Sequence, residues 1–310
     1  MTLVSQLAGY RVEALVGKGG MAEVYRAVAL DGPRAGETVA LKRLLPSLAR
    51  DPAYVALFER EAEITRRLRH PAIVEVFDAG VAGGTPYLVM EYVDGRNLKQ
   101  ILAQCAARGI LLPVDFGAYL AHVLAGALAH AHAGVDAAGR PLGIVHCDVS
   151  PSNVFVSRLG EVKLGDFGVA LGPGARGAPG GGAFGKVRYL APEQLRGGPV
   201  GPAVDLFALG AVLFELLTNQ PAFPGRDPNE VGQAILGGRI RVPSTVRPDV
   251  PAALDVLVLR ALAVEPAARP RSAAEFASAL AERYDAAIGT PLAIAAVVRG
   301  LFGITNPAPR

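Results

Sequence analysis

Between Val204 and Leu217 the chain reads VDLFALGAVLFELL, apolar on nearly every side of a helix. A helix without a polar face must be covered all round, so this run predicts the buried centre of a helical core. A membrane span fits poorly, because the run is short and contains Asp205 and Glu215. Two alanine- and leucine-rich stretches, Asn97 to Arg108 and Asp115 to Ala133, predict further long helices.

Before Asp94-Gly95 the pattern differs. Val12 to Val16 and Val24 to Ala29 flank a glycine-rich turn, as expected of a hairpin, and Glu37 to Leu44 is another β-rich run. Asp51-Pro52 supplies an N-cap and a first-turn proline for a helix to about Arg69, stopped by His70-Pro71. Strands are expected around Ile73 to Phe77 and Tyr87 to Tyr92. Two other stretches stand apart. Leu171 to Gly185 is a glycine-rich, low-complexity loop, expected to be mobile. Residues 285–310 form an apolar, interrupted tail in which Pro291 to Phe302 predicts an amphipathic helix packed on the domain or on a partner. A membrane span there is the weaker alternative, since a charge such as Arg299 near a helix centre costs ~2.5–3.5 kcal/mol.

Composition narrows the class. A chain of 310 residues, 51% hydrophobic with mean hydropathy +0.32, is no disordered protein and accommodates one large domain or two lobes sharing a cleft. With 31 basic against 28 acidic residues, the net charge of +3 gives no reason to expect nucleic acid or a membrane surface as partner. Cys105 and Cys147 are too few for a disulfide framework or a structural zinc site, and the N-terminus lacks a signal-peptide pattern. A reducing, cytoplasmic setting is therefore the expectation. Only five of the basic residues are lysines (Lys18, Lys42, Lys99, Lys163 and Lys186), so each retained lysine draws notice.

The chemistry-bearing residues fall into three groups. Val16-Gly17-Lys18-Gly19-Gly20-Met21-Ala22-Glu23-Val24 is a glycine loop between strands, able to bring backbone amides close to phosphate oxygens. Alone it is equally an ordinary glycine hairpin, and it is not a Walker loop. Eighteen residues after Val24, the strand Val39-Ala40-Leu41 ends in Lys42, whose charge can neutralise phosphates if a carboxylate holds it. Glu61 is the natural partner, although spacing does not choose it over Glu59 or Glu63. Finally, His146-Cys147-Asp148-Val149-Ser150-Pro151-Ser152-Asn153 is followed by Asp166-Phe167-Gly168. Asp148 can accept a proton from an attacking hydroxyl, and Asn153 and Asp166 can hold Mg²⁺ beside a transferring phosphoryl group.

Taken in order, these motifs resemble the protein kinase family, and more closely bacterial serine/threonine kinases of the eukaryotic type. The resemblance covers about Tyr10 to Tyr284 and adds a Met90-Glu91-Tyr92-Val93 hinge, Ala191-Pro192-Glu193, Asp205 and Arg269. It implies an α+β, bilobal fold: a small antiparallel β-rich lobe with one key helix (residues 10–93) and a larger, mainly helical lobe (94–284). It implies ATP and Mg²⁺ as cofactors, bound in the cleft, and a protein substrate. Val16, Gly17, Lys18, Gly19, Gly20, Ala22, Val24, Ala40, Lys42 and Met90 would surround the nucleotide, with the backbones of Glu91 and Val93 meeting adenine. By the same resemblance Glu193 pairs with Arg269, and Asp205 anchors the catalytic-loop backbone.

Four positions depart from the family. Ala22 replaces the third loop glycine, which is tolerable if φ there stays negative. Cys147 replaces the arginine that reads a phosphorylated activation segment, and Val169 to Arg188 contains no Ser, Thr or Tyr. Those two losses agree with a protein that activation-loop phosphorylation does not switch. Ser150 replaces the lysine two residues after the catalytic aspartate, while Lys186 stands where threonine is usual. Either Lys186 supplies the lost charge from the other side of the site, or it is a solvated loop lysine. Cys147 itself reads as an inert thiol, and His130 and His132, two apart on a helix, are no metal pair. The expectation is a serine/threonine protein kinase with an unidentified regulatory partner. The rivals are a pseudokinase that binds nucleotide or acts as a scaffold, favoured by Cys147 and Ser150, and a small-molecule kinase of the aminoglycoside phosphotransferase kind.

Overall fold

Alternating strand residues build a six-stranded antiparallel sheet at the start of the chain. In the computed structural model, which describes residues 6–136, 138–167 and 186–303, the strands are β1 (Gln6–Leu7), β2 (Tyr10–Lys18), β3 (Ala22–Ala29), β4 (Thr38–Leu44), then, after helix α1 (Pro52–Thr65), β5 (Val76–Ala82) and β6 (Thr85–Glu91). Their order is β1-β2-β3-β4-β6-β5. One face carries Ala27, Val39, Leu41, Tyr87 and Val89, all buried beneath Tyr10, Tyr25 and Phe77. Because side chains alternate, Val24, Ala40 and Lys42 lie on the opposite face.

Two local expectations needed correction. The strand expected at Ile73 to Phe77 begins only at Val76 and runs to Ala82. Gly83 and Gly84, both at positive φ (56° and 72°), close a two-residue hairpin into β6, a turn whose backbone only glycine adopts freely. Helix α1 is capped by Asp51, whose side chain accepts from the Ala53 amide, but it stops at Thr65 rather than near Arg69. Beyond it Arg67 and Leu68 donate only three residues back, to Ile64 and Thr65, so the chain tightens out of the α-helix.

The chain divides into two compact units, Met1–Asp94 and Gly95–Arg310. The second holds β7 (Gly95–Asn97), α2 (Leu98–Arg108), α3 (Val114–His132), β8 (Val154–Ser157), β9 (Val162–Leu164), α4 (Pro192–Leu195), α5 (Ala203–Thr218), α6 (Pro228–Leu236), α7 (Pro243–Val246), α8 (Ala252–Ala261), α9 (Ala273–Ala281) and α10 (Pro291–Phe302). Helix α5, the apolar run, is buried along nearly its whole length and packs against α3 and α8. Strands β7, β8 and β9 form a small sheet. Helix α10 packs on α2 and β8, with Ile294, Val298 and Leu301 buried; burying each such side chain contributes about 1.5–3 kcal/mol. The glycine-rich stretch from Leu171 to Gly185 lies outside the described residues, as do Gly168 and residues 304–310.

A buried fork ties α4 to the end of the helical core. Arg269, 1% exposed, donates to both carboxylate oxygens of Glu193 at 2.7 and 2.8 Å and to the carbonyls of Ala203, Ala263 and Val264. Every guanidinium nitrogen is thus used, an arrangement lysine cannot reproduce. Arg269→Met should leave Glu193 buried without its counter-charge and lower unfolding free energy by about 3–5 kcal/mol in urea denaturation.

Candidate active site

In the first unit, Lys42 sits on β4 opposite Val24 and Leu88, and its ammonium donates to Glu61 Oε1 at 2.6 Å. The two side chains are only 13% and 12% exposed, whereas Glu59 and Glu63 face solvent, Glu63 pairing with Arg67. Burial on the inner side of α1 therefore selects Glu61 where spacing had not.

The turn from Gly17 to Ala22 is pinned by the Gly19 amide donating to the Ala22 carbonyl at 2.8 Å. Neither Gly17, Gly19 nor Gly20 has positive φ, and a Cβ at any of them would meet nothing closer than 3.6 Å. The fold itself does not demand glycine there, so the open space around the turn is its distinguishing property. Ala22 is buried and is not among the residues with positive φ, which meets the condition its substitution required. Lys18 points to the far face of the sheet. It pairs with the directly opposed Glu23 at 3.0 Å, whose other oxygen accepts from the Tyr25 hydroxyl at 2.6 Å. These bonds hold the Glu23 carboxyl below the usual carboxylate range, the tyrosine contact first. Val16 is exposed, and Ala40 and Met90 are buried directly opposite one another on β4 and β6. The Glu91 amide donates to the Glu75 carbonyl, and Val93 follows in the stretch after β6.

In the second unit the loop from His146 to Asn153 hangs from Asp205 on α5. The fully buried Asp205 carboxylate accepts from the backbone amides of His146 and Cys147, each at 2.8 Å, and from His132 Nε2 at 2.8 Å. Cys147 sits at φ +65°, a conformation that costs a residue with a Cβ and persists because both flanking amides are tied. His146 accepts from the Asp148 amide on Nδ1 and donates from Nε2 to the Gly165 carbonyl, which fixes a neutral tautomer.

Asp148 is the convergence point. Asn153 Nδ2 donates to its carbonyl at 2.9 Å and to its Oδ2 at 3.0 Å, and Lys186 donates to the same Oδ2. Ser150 is buried, its hydroxyl 3.0 Å from that of Ser152. Asn153 leads into β8 and Asp166 follows β9; the Gly165 amide donates to the Asn153 carbonyl at 2.9 Å and closes that end of the hairpin. Asp166 adopts φ +52°, which aspartate tolerates better than most residues. The hairpin brings a carboxylate-bearing and an amide-bearing residue to the same end, and oxygen donors of these types suit a hard cation.

Residues 10–283 match the model of the protein kinase domain. The chain belongs to the protein kinase family. It is 36% identical over 309 residues to a tyrosine-protein kinase, MasK, of Myxococcus xanthus, covering 97% of this chain and 48% of that protein. It is 38% identical over 283 residues to the serine/threonine-protein kinase PknB of Mycobacterium tuberculosis, covering 89% and 43%. The chain thus spans less than half the length of these curated relatives. Among solved structures, the PknI kinase domain of M. tuberculosis superimposes with a TM-score of 0.69 at 33% identity, covering 91% of this chain and 99% of that one.

Two contributors to this kinase site escaped the sequence. His132 is a third donor to Asp205, and Gln194 reaches the Cys147 carbonyl from α4 at 3.5 Å. Nothing in their spacing marks them, because both act across contacts made only in the folded chain. Among the described residues no cluster of three metal-ligating His, Cys, Asp or Glu side chains exists, and no helix is long and apolar enough to cross a membrane.

Complete burial pushes the His146 imidazole below its ordinary value of 6.5, outweighing the Asp205 and Asp148 charges that oppose the shift. The unfolded chain therefore takes up this proton below about 6.5 while the folded chain resists it. Stability is full above that pH and falls as pH drops, by up to about 1.4 kcal/mol per pH unit. Denaturant midpoints measured from pH 7 to 5 should fall less steeply in His146→Gln than in the unsubstituted protein.

Proposed function

We propose that this chain is an active, ATP-dependent protein kinase that transfers the γ-phosphoryl group to serine or threonine hydroxyls of proteins. The observation that carries the reading is the Asp148 carboxylate, anchored at Oδ2 by Asn153 and Lys186, on a loop suspended from Asp205. That leaves Oδ1 to orient the substrate hydroxyl and accept its proton. The names of relatives such as PknB support the acceptor class, while the name of MasK keeps tyrosine as the competing acceptor.

Each remaining residue has a role consistent with its place. Lys42, held by Glu61, grips the nucleotide phosphates, and the open turn of Gly17, Gly19 and Gly20 admits them close to the backbone. Lys18 contributes its backbone, since its side chain is engaged with Glu23. The backbones of Glu91 and Val93 meet the adenine, flanked by Val16, Ala22, Val24, Ala40 and Met90. Asn153, whose Nδ2 is committed to Asp148, would hold a cation through Oδ1, and Asp166 would hold it through its carboxylate. Those residues would hold Mg²⁺, which would supply neutralisation of charge on the transferring group.

Lys186 supplies the positive charge that Ser150 does not, acting from the other side of Asp148. Without a phosphorylatable residue from Val169 to Arg188 and with Cys147 in place of arginine, the kinase runs without activation-loop phosphorylation. Proteins are the substrates, and the input comes from a regulatory partner or from a region outside this chain.

Transfer of labelled γ-phosphate from Mg·ATP to the chain and to a basic protein substrate should vanish in Asp148→Asn, yield phosphoserine or phosphothreonine, and persist after phosphatase treatment and in Cys147→Arg. Absence of transfer in the unsubstituted, folded protein would favour a pseudokinase instead. Lys186→Ala should lower kcat about 10²-fold with little change in KM for ATP, while Lys186→Arg retains most of the rate. An unchanged kcat in Lys186→Ala would return that residue to the solvated loop.

A further inference from the structure

Asn153 and Asp166 stand at one end of a two-stranded lever. Strand β8 begins immediately after Asn153, β9 ends two residues before Asp166, and the pairs Val154↔Leu164, Phe155↔Lys163 and Val156↔Val162 lock them in register. The other end is the turn from Arg158 to Gly160, built on Ser157, whose hydroxyl accepts from the amides of Leu159 and Glu161. Helix α10 is seated on that turn. Gly160, at φ +85°, lies so close beneath the first turn of α10 that a Cβ would run into the Pro291 carbonyl and the Ala295 amide. Arg299 donates to the Arg158 carbonyl at 3.2 Å. The far end of the helix is held independently: Gln104 and Arg108 of α2 donate to the carbonyls of Leu301 and Gly300, satisfying groups that a helix C-terminus leaves open. Arg96, paired with Val156 across the sheet, stacks over Phe302 at 5.1 Å.

We propose that α10 is a positioning strap for the metal-binding hairpin: by clamping its turn against α2, it sets the placement of Asn153 and Asp166 and so the affinity for Mg²⁺ at the nucleotide. The proposal rests on reading those two residues as the Mg²⁺ ligands. None of the groups in the strap touches the cation. They fix the strands that carry its ligands, as outer partners do in other metal sites. Because coupling between two equilibria is reciprocal, occupancy of the cation site also tightens the strap.

The test uses the full chain and a fluorescent ADP analogue, titrated with Mg²⁺. Val298→Asp places a charge on the fully buried face of α10, remote from the ligands, and should release the helix. Metal-free affinity for the analogue should stay within about twofold, while the Mg²⁺ concentration for half-maximal enhancement rises about tenfold. Amide exchange over residues 154–164 should quicken in parallel. An unchanged Mg²⁺ requirement with α10 exchanging as an unfolded segment overturns the proposal. Asn153→Ala should abolish the enhancement by Mg²⁺; if it does not, the metal reading itself fails and the strap with it. Where Val298→Asp fails to fold or to release the helix, the unsubstituted protein decides. Mg²⁺ with ADP should slow exchange of residues 291–302 relative to ADP alone, and equal exchange overturns the coupling.

Discussion

A carboxylate with no access to water, Asp205, carries the geometry of the second unit. It sits in the first turn of α5, a helix that is otherwise almost wholly apolar, and is fully buried. A charge in such a place is tolerable only when its lone pairs are used, and here two backbone amides and one imidazole use them. The same bonds hold Cys147 at φ +65° and aim the chain so that Asp148 turns outward while His146 turns into the core. The core helix thus does more than fill space: it presents one buried anion to which an irregular loop must conform.

Around Asp148 the charge balance is assembled from separate parts of the chain. The residue two positions on, Ser150, is small and turned to Ser152, and the positive charge on the carboxylate comes from Lys186, 38 residues away. The cation that meets the Asp148 carboxylate is thus supplied by a segment remote from the loop along the chain. In the first unit the corresponding economy is Lys42 with Glu61, where burial of both side chains makes each the other's necessary partner.

Much of this was legible in the residues themselves. The hairpin around the glycine turn, the cap at Asp51, the apolar run of α5 and the helix from Pro291 to Phe302 all follow from periodicity and end signals, which act over a few residues. The order of the motifs carried the family. Where expectation failed, the cause was local competition. Ile73 and Val74 are β-branched and buried, yet they fill the connection ahead of β5, and the Gly83-Gly84 turn sets the strand limits instead. Likewise α1 ends at Thr65 because three-residue turns take over beyond it.

By itself, then, the sequence determined which segments become strand or helix, which family they compose, and which residue types the site contains, because those depend on short-range pattern and on order along the chain. Tertiary structure alone decided which of three glutamates meets Lys42, that Lys18 turns to Glu23, that His132 completes the shell of Asp205, and that Lys186 reaches Asp148. It also decided that α10 closes over Gly160 of its own chain. These are choices among chemically equivalent partners, most of them far apart along the chain. Only burial and the close packing of finished elements distinguish them, and neither exists until the chain has folded.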